Sequence, residues 1–187
     1  ITEPFKVYTV NDVRVVTDYT FANNTKTFTD SITHNGYKLF GYEEIKYRPK
    51  AITDALSIVP GEIFRDIDRN LTYSQVSDLK IFKYPNISYQ KDPEDSIGLI
   101  ATILLSPQKK YTLDASFDAY GSALQPFGTG FNTSLLIRNV FRGAETFQLS
   151  GGGSVGSSAD RDVGFFGTSD IGVNVQLSFP RILFPLN

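Results

Sequence analysis

The chain has 187 residues, 41% hydrophobic and 20% charged, with a net charge of −2 at neutral pH and both signs spread along its length, which excludes the basic footprint of a nucleic-acid binder. It contains no Cys, so disulfides, thiolate catalysis and Cys-based metal sites are excluded within it. Its 15 Phe and 10 Tyr, with no Trp, tilt the expectation toward β structure.

The longest mostly apolar stretch, residues 99–105, falls far short of the roughly 20 residues a transmembrane helix requires. A helical membrane protein is therefore not expected, whereas a β-barrel, whose strands bury only alternate residues in lipid, stays open. No basic or apolar leader pattern opens the chain at Ile1, so a secretory signal is expected to have been removed or to lie upstream.

Residues 8–20 carry a β-branched run with Val10, Val13, Val15 and Val16, which predicts a first strand ending near Phe21-Ala22-Asn23-Asn24. Residues 25–47 hold Asn35-Gly36 between runs rich in Thr, Ile, Phe and Tyr. Asn-Gly supplies the positive φ angles of a two-residue turn, so this segment reads as an inserted hairpin. Arg48-Pro49 opens a helix in which Ile52, Ala55 and Leu56 share a face down to Val59, with Pro60-Gly61 closing it. Asp66 is placed to cap a second helix, with Ile67, Leu71 and Leu79 on one stripe and Val76 beside Leu79. Past Pro85, residues 86–90 predict a short strand, Asp92-Pro93-Glu94-Asp95 a turn, and residues 96–106 a longer strand. That last run is apolar on both faces, as in a central strand.

The order strand, helix, helix, strand, strand, with a hairpin inserted after the first strand, fits any small α+β domain. It resembles the POTRA domain of the BamA and TamA assembly family, and residues 60–64 (PGEIF) through 79–87 (LKIFKYPNI) look like that domain's characteristic stretch. The resemblance implies a POTRA-like periplasmic domain over residues 1–107.

After Pro107, four stretches alternate with a period of two. Tyr111, Leu113, Ala115, Phe117 and Ala119 oppose Lys110, Thr112, Asp114, Ser116 and Asp118. Phe131, Leu135, Ile137 and Phe141 oppose Asn132, Ser134 and Arg138, with Leu136 and Val140 blurring the polar side. Residues 145–156 set Phe147 and Leu149 against Gln148 and Ser150, then run through Gly151-Gly152-Gly153. Finally, Ile171, Val173, Val175, Leu177 and Phe179 oppose Gly172, Asn174, Gln176 and Ser178. A one-sided sandwich sheet would alternate in the same way. Two features point to lipid: strands reaching the roughly 9 to 11 residues that cross a bilayer, and a tight connection at Arg142-Gly143 set against longer ones at 121–130 and 157–167.

The stretch Arg138-Asn139-Val140-Phe141-Arg142-Gly143-Ala144-Glu145 is similar to one between early barrel strands of BamA-like and TamA-like proteins, closest to the TamL-like branch. The resemblance implies that residues 108–187 are the first strands, about four, of an outer-membrane β-barrel. Because four strands leave open edges in lipid, the 187 residues are expected to be a fragment.

Other motifs have plainer readings. His34, the single histidine, is expected to be a surface turn residue and not a ligand or base. Asp66 and Asp68 suit a helix start better than acid–base chemistry. Gly151-Gly152-Gly153 lacks the Gly-Lys-Ser/Thr ending of a phosphate loop and fits strand glycines that permit bending. Asn-X-Ser/Thr sites begin at Asn23, Asn70, Asn86 and Asn132; Asp30-Ser31-Ile32 and Asp95-Ser96-Ile97 resemble a short O-glycosylation signal used in some Gram-negative systems.

The fold class expected is thus an α+β POTRA domain (β-α-α-β-β with an inserted hairpin) followed by the N-terminal antiparallel strands of a transmembrane β-barrel. What the resemblance implies is a non-enzymatic outer-membrane assembly, insertion or translocation factor of a Gram-negative cell, its POTRA part in the periplasm, with no cofactor and no metal. Its implied partners are unfolded outer-membrane protein clients, periplasmic or lipoprotein subunits and outer-membrane lipids, with no nucleic acid. Clients would bind by β-augmentation at Asn86, Ile87, Ser88, Tyr89 and Gln90 on the POTRA edge and at Tyr111, Thr112 and Leu113 on the barrel seam. Ser88→Pro tests the first edge if the Ser88 N–H points outward. Leu113, Phe117, Leu135, Ile137, Ile171, Val173, Val175 and Leu177 would face lipid. The rivals are a two-partner-secretion translocator, a barrel anchoring an enzyme whose catalytic domain lies elsewhere, and a soluble β-sandwich adhesion protein.

Overall fold

The computed structural model describes residues 6–121, 127–157 and 168–180. The chain divides into two compact units. One runs through Gln108 and takes in Phe141–Ala144; the other consists of Lys109–Val140 and the residues from Glu145 on.

The first unit contains, in order, β1 (Thr9–Val16), β2 (Asp30–His34), β3 (Tyr37–Gly41), α1 (Pro49–Thr53), α2 (Asp66–Asp78), β4 (Asn86–Lys91) and β5 (Gly98–Leu104). The sheet order is β2-β3-β1-β5-β4. The valine-rich β1 lies at its centre, parallel to both β3 and β5, with Val13 and Val15 fully buried. The inserted hairpin is present: β2 and β3 pair antiparallel with His34 opposite Tyr37. Asn35 and Gly36 both take positive φ, 50° and 82°, as a twist-matched two-residue turn requires. Because β3 covers one side of β1, the open edges of this sheet are β2 and β4.

The helices differ from the sequence expectation in three ways. Pro49 does open α1 behind Arg48, but the helix stops at Thr53. Ala55 and Leu56 still reach the core from the turn that follows, while Val59 is exposed. Helix α2 begins at Asp66 itself behind Arg65, so Asp66 is a first-turn acid and makes no side-chain cap. Nor is Ile67 and Leu71 the buried stripe, since both are exposed; Asp68, Thr72, Val76 and Leu79 face inward. The inner positions are polar for a reason. Thr72 Oγ1 accepts the N–H of Ser57 at 2.9 Å and of Ile58 at 3.1 Å, satisfying two donors of the chain leaving α1. Asp68 takes a bidentate pair from Arg65, at 2.8 and 3.1 Å.

His34 is not a surface turn residue. It ends β2 half-buried, with Nδ1 3.1 Å from Thr53 Oγ1. The core gathers Val10, Val13, Leu39, Ile52, Ile58 and Ile103.

The second unit is one antiparallel sheet of β6 (Tyr111–Tyr120), β7 (Gly128–Arg138), β8 (Thr146–Gly156) and β9 (Thr168–Ser178), in that order. Gly128 and Gly130 belong to β7, so the connection expected at 121–130 is shorter; residues 122–126 and 158–167 lie outside the described residues. The connection at 139–145 is not a tight hairpin turn. Asn139, Arg142 and Ala144 there have φ of 56°, 66° and 68°, and Phe141–Ala144 belongs to the first unit. In that unit Arg142 Nη2 donates to Ile45 O at 2.7 Å, Arg142 O accepts Arg48 N at 2.7 Å, and Ala144 is buried in the core.

Gly151-Gly152-Gly153 lies within β8. A Cβ on Gly152 would collide with Asn132 Oδ1 and come within 2.9 Å of Phe131 O. Its glycine therefore permits the close approach of β7.

Acid should weaken the first unit through a small set of carboxylates. Burial works to raise the Asp12 pKa, but Arg14 Nε at 2.9 Å and Lys38 Nζ at 3.0 Å outweigh it, so the net shift is downward. Asn11 lies where the β1–β5 register shifts, and its amide reaches Asp92 at 3.0 Å and Asp95 at 3.1 Å, lowering both. Folded pKa values below the unfolded value of 3.8 mean that this stabilisation is complete above that value and is lost as pH falls through the folded ones. The urea midpoint should therefore stay level from about pH 7 to about pH 5 and drop below about pH 4, and Asp12→Asn should remove part of the drop. A midpoint unaffected by Asp12→Asn at every pH would show that the pair contributes nothing.

Candidate functional site

The candidate site is two of the four open sheet edges among the described residues, those of β4 and β6, and its chemistry lies in the backbone. In an antiparallel pair, opposite residues alternately exchange both N–H···O bonds or none, so on an edge strand every second residue turns its N–H and C=O outward. The phase on β4 follows from β5. Leu105 N donates to Val16 O and Ile97 O accepts Thr9 N, so odd-numbered residues along β5 serve β1. On the other side Asp92 N donates to Gly98 O and Ser106 O accepts Lys83 N, so even-numbered ones serve β4. With Ser88 opposite Thr102 and Gln90 opposite Ile100, the groups of Asn86, Ser88 and Gln90 point inward. Those of Ile87, Tyr89 and Lys91 point to the open side.

Ser88→Pro is thus no probe of the outer edge, because it would remove a donor aimed at β5. The Tyr89 ring packs edge-on against Phe64, centroids 4.8 Å apart, and burial pushes its phenol up to about 12. Beside the edge, Arg69, Tyr73, Tyr84 and Asn86 line a shallow groove between α2 and the start of β4.

The same reasoning fixes β6. Arg138 N donates to Lys110 O at 2.8 Å, and the register places Thr112 opposite Leu136 and Asp114 opposite Ser134. Even-numbered residues of β6 therefore bond to β7, while Tyr111, Leu113, Ala115, Phe117 and Ala119 turn both backbone groups to the open edge. Thr112 faces inward, and its hydroxyl holds Arg138 Nη1 at 2.7 Å. Of the residues named from sequence, Ile87, Tyr89, Tyr111 and Leu113 present backbone groups outward, and Asn86, Ser88, Gln90 and Thr112 do not. Lys91, one residue past the expected 86–90 strand, also turns its backbone groups outward, as do Ala115, Phe117 and Ala119 within the 110–120 strand expected at the barrel seam.

The sheet of the second unit is two-faced row by row. Leu113, Leu135, Leu149 and Val175 are successive cross-strand partners, as are Ile137, Phe147 and Leu177, and Phe117, Phe131, Gly153 and Ile171. On the other face Asp114, Ser134, Ser150 and Asn174 form one row, and Ser116, Asn132, Gly152 and Gly172 the next. That polar face lines a depression, while Ile171, Val173, Leu113 and Phe117 stand out on the apolar face, 90%, 75%, 73% and 71% exposed. All eight residues expected to face lipid lie on the apolar side. An apolar surface of this extent needs an apolar cover.

No protein-family model matches the sequence, and no curated protein matches it. Among solved structures the chain is similar to CdiB from Acinetobacter baumannii, at 10% identity and a TM-score of 0.47, over 83% of this chain and 40% of that one. It is also similar to BamA from Haemophilus ducreyi lacking POTRA domains 1–3, at 8% identity and a TM-score of 0.43, over 80% of this chain and 38% of that one. The chain thus spans about two fifths of the length of either structure. It is the geometry of the two edges and of the two-faced sheet, not these likenesses, that bears on function.

Proposed function

We propose that the chain is the membrane-proximal part of a Gram-negative outer-membrane protein that assembles or translocates other proteins. In this reading the first unit is a periplasmic POTRA domain and the second contributes the opening strands of the barrel. The chemistry is non-covalent: an extended client chain adds to an open edge, exchanging bonds to water for bonds to the outward N–H and C=O groups. The observation that carries the proposal is the joint presence of two phased, uncovered edges and a four-stranded sheet apolar on one face and polar on the other. On β6 the outward groups belong to residues whose side chains share the apolar face, so in lipid they would have no partner until another strand supplied one.

The β4 edge is tested by two prolines. Lys91→Pro removes an outward donor at an exposed position while leaving the β4–β5 bonds in place, and extended Gln90 tolerates a following Pro. Ser88→Pro removes an inward donor and should lower the stability of the unit. With a photo-crosslinker at exposed Gln90 in the native host, an assembly-arrested outer-membrane client should be captured by the parent protein and lost in the folded Lys91→Pro variant. Capture undiminished by Lys91→Pro would remove this edge from the mechanism.

A further inference from the structure

The two ends of the first sheet differ in chemistry. Strands β1, β3 and β5 run parallel, so their C-terminal ends lie together at the end from which the chain leaves β5 toward β6. Three aromatic rings are displayed there. Phe21 is 87% exposed and Tyr84 84% exposed; Phe28, 45% exposed, stacks on Phe40 and packs at a tilt against Tyr42, with centroids 5.0 and 4.8 Å away. Phe21 stands on a cross-braced turn. Asn23 Nδ2 donates to Asp18 O at 2.9 Å, Thr20 N donates to Asn23 Oδ1 at 2.7 Å, and Lys26 N donates to Asn23 O at 3.0 Å. Tyr84 is held next to the exit by the bond from Lys83 N to Ser106 O at 2.7 Å.

The charges at this end fit the same pattern. Asp18 accepts Tyr42 N and Glu43 N, Glu43 pairs with Lys46, and Glu44 faces Arg142, while Asp78, exposed at the end of α2, has no ion pair among the described residues. Lys26 and Lys83, next to the displayed rings in sequence, have no ion pair among the described residues. Exposed rings held on ordered backbone beside unpaired lysines match a headgroup interface, where aromatic rings sit at the polar–apolar boundary and cations meet phosphates.

We infer that this end of the first unit is a membrane-interface anchor in which Phe21, Phe28 and Tyr84 enter the headgroup layer and Lys26 and Lys83 bind lipid phosphate. The inference rests on the membrane reading of the second unit. The occupant is a lipid surface because exposed rings and lysines lie side by side in two connections, Phe21, Lys26 and Phe28 between β1 and β2 and Lys83 with Tyr84 between α2 and β4, a pairing suited to headgroups.

These 187 residues contain no Cys, so each label placed among them has a unique position within them. Single-cysteine variants Phe21→Cys, Ser96→Cys and Val175→Cys carry a nitroxide in the protein reconstituted into phosphatidylethanolamine–phosphatidylglycerol vesicles. Ser96 is the control, exposed in the turn before β5 at the opposite end of the sheet. The label at Phe21 should be relaxed several-fold more by oxygen, and less by a water-soluble nickel chelate, than the label at Ser96, and Val175 should show the lipid pattern more strongly. Lipid-like behaviour at Val175 with water-like behaviour at Phe21 overturns the anchor alone. Water-like behaviour at both overturns the membrane reading and the anchor with it. Shielding of Phe21 from both relaxants also overturns the anchor, in favour of a protein partner.

Discussion

Val175→Arg is expected to destabilise the membrane-inserted protein by about 2 to 4 kcal/mol if that position lies near the bilayer midplane, whereas its neighbour Asn174→Arg should cost far less. The two positions are adjacent on β9 but belong to opposite faces: Val175 lies opposite Leu149, in the row that continues through Leu135 and Leu113, and Asn174 lies opposite Ser150, in the row that ends at Asp114. A sheet packed on a protein core would also penalise Val175→Arg, so the energy must be paired with a probe of the medium. A lipid-soluble quencher should reach a fluorophore at position 175 and not one at 174. Equal quenching at both, or none at either, would favour a soluble β domain.

How much of this was legible in the sequence depends on what each pattern encodes. Alternation in β6 and β9 was readable because their side chains fall on an apolar and a polar face of the sheet, and a side-chain period of two maps directly onto these. On β7 the blurring by Leu136 is real, since Leu136 lies in the polar row between Thr112 and Gln148. Asn35-Gly36 was readable because few residue pairs accept two successive positive φ angles. Helix α2 was misread because its inner stripe carries Asp68 and Thr72, which a rule placing apolar residues inside cannot find. The stretch 139–145 was misread because three non-glycine residues there take positive φ, for which the sequence carries no clear signal.

The phase of the edges was not legible at all. Side-chain periodicity reports which residues share a face, but the in-plane direction of N–H and C=O is set by the partner's register. On β4 it took the bonds of Asp92 to Gly98 and of Leu105 to Val16 to show that Ser88 points in and Lys91 out. A candidate site made of backbone groups is therefore half determined by strands distant in sequence. The sequence could locate the edge strand, from its shortness and its flanking prolines, without saying which of its residues act.

Thr72→Val should destabilise the first unit by about 2 to 4 kcal/mol, although the two side chains are nearly equal in volume and the site is fully buried. Valine keeps the packing and removes the oxygen, leaving the N–H groups of Ser57 and Ile58 without their acceptor; a buried donor left unsatisfied costs about 1 to 3 kcal/mol. Thr72→Ser retains the acceptor and should recover most of the loss, short of the contribution of one methyl group. The measurement is the urea midpoint of all three proteins, with the m-value checked for constancy so that a changed unfolded state is not mistaken for a lost bond. If Val is near the parent and Ser is not, the hydroxyl contributes nothing and the methyl group is what holds α2. If Ser is near the parent and Val is not, the link between α2 and the chain leaving α1 is polar, and a substitution that makes the helix more regularly amphipathic weakens the support beside the β4 edge.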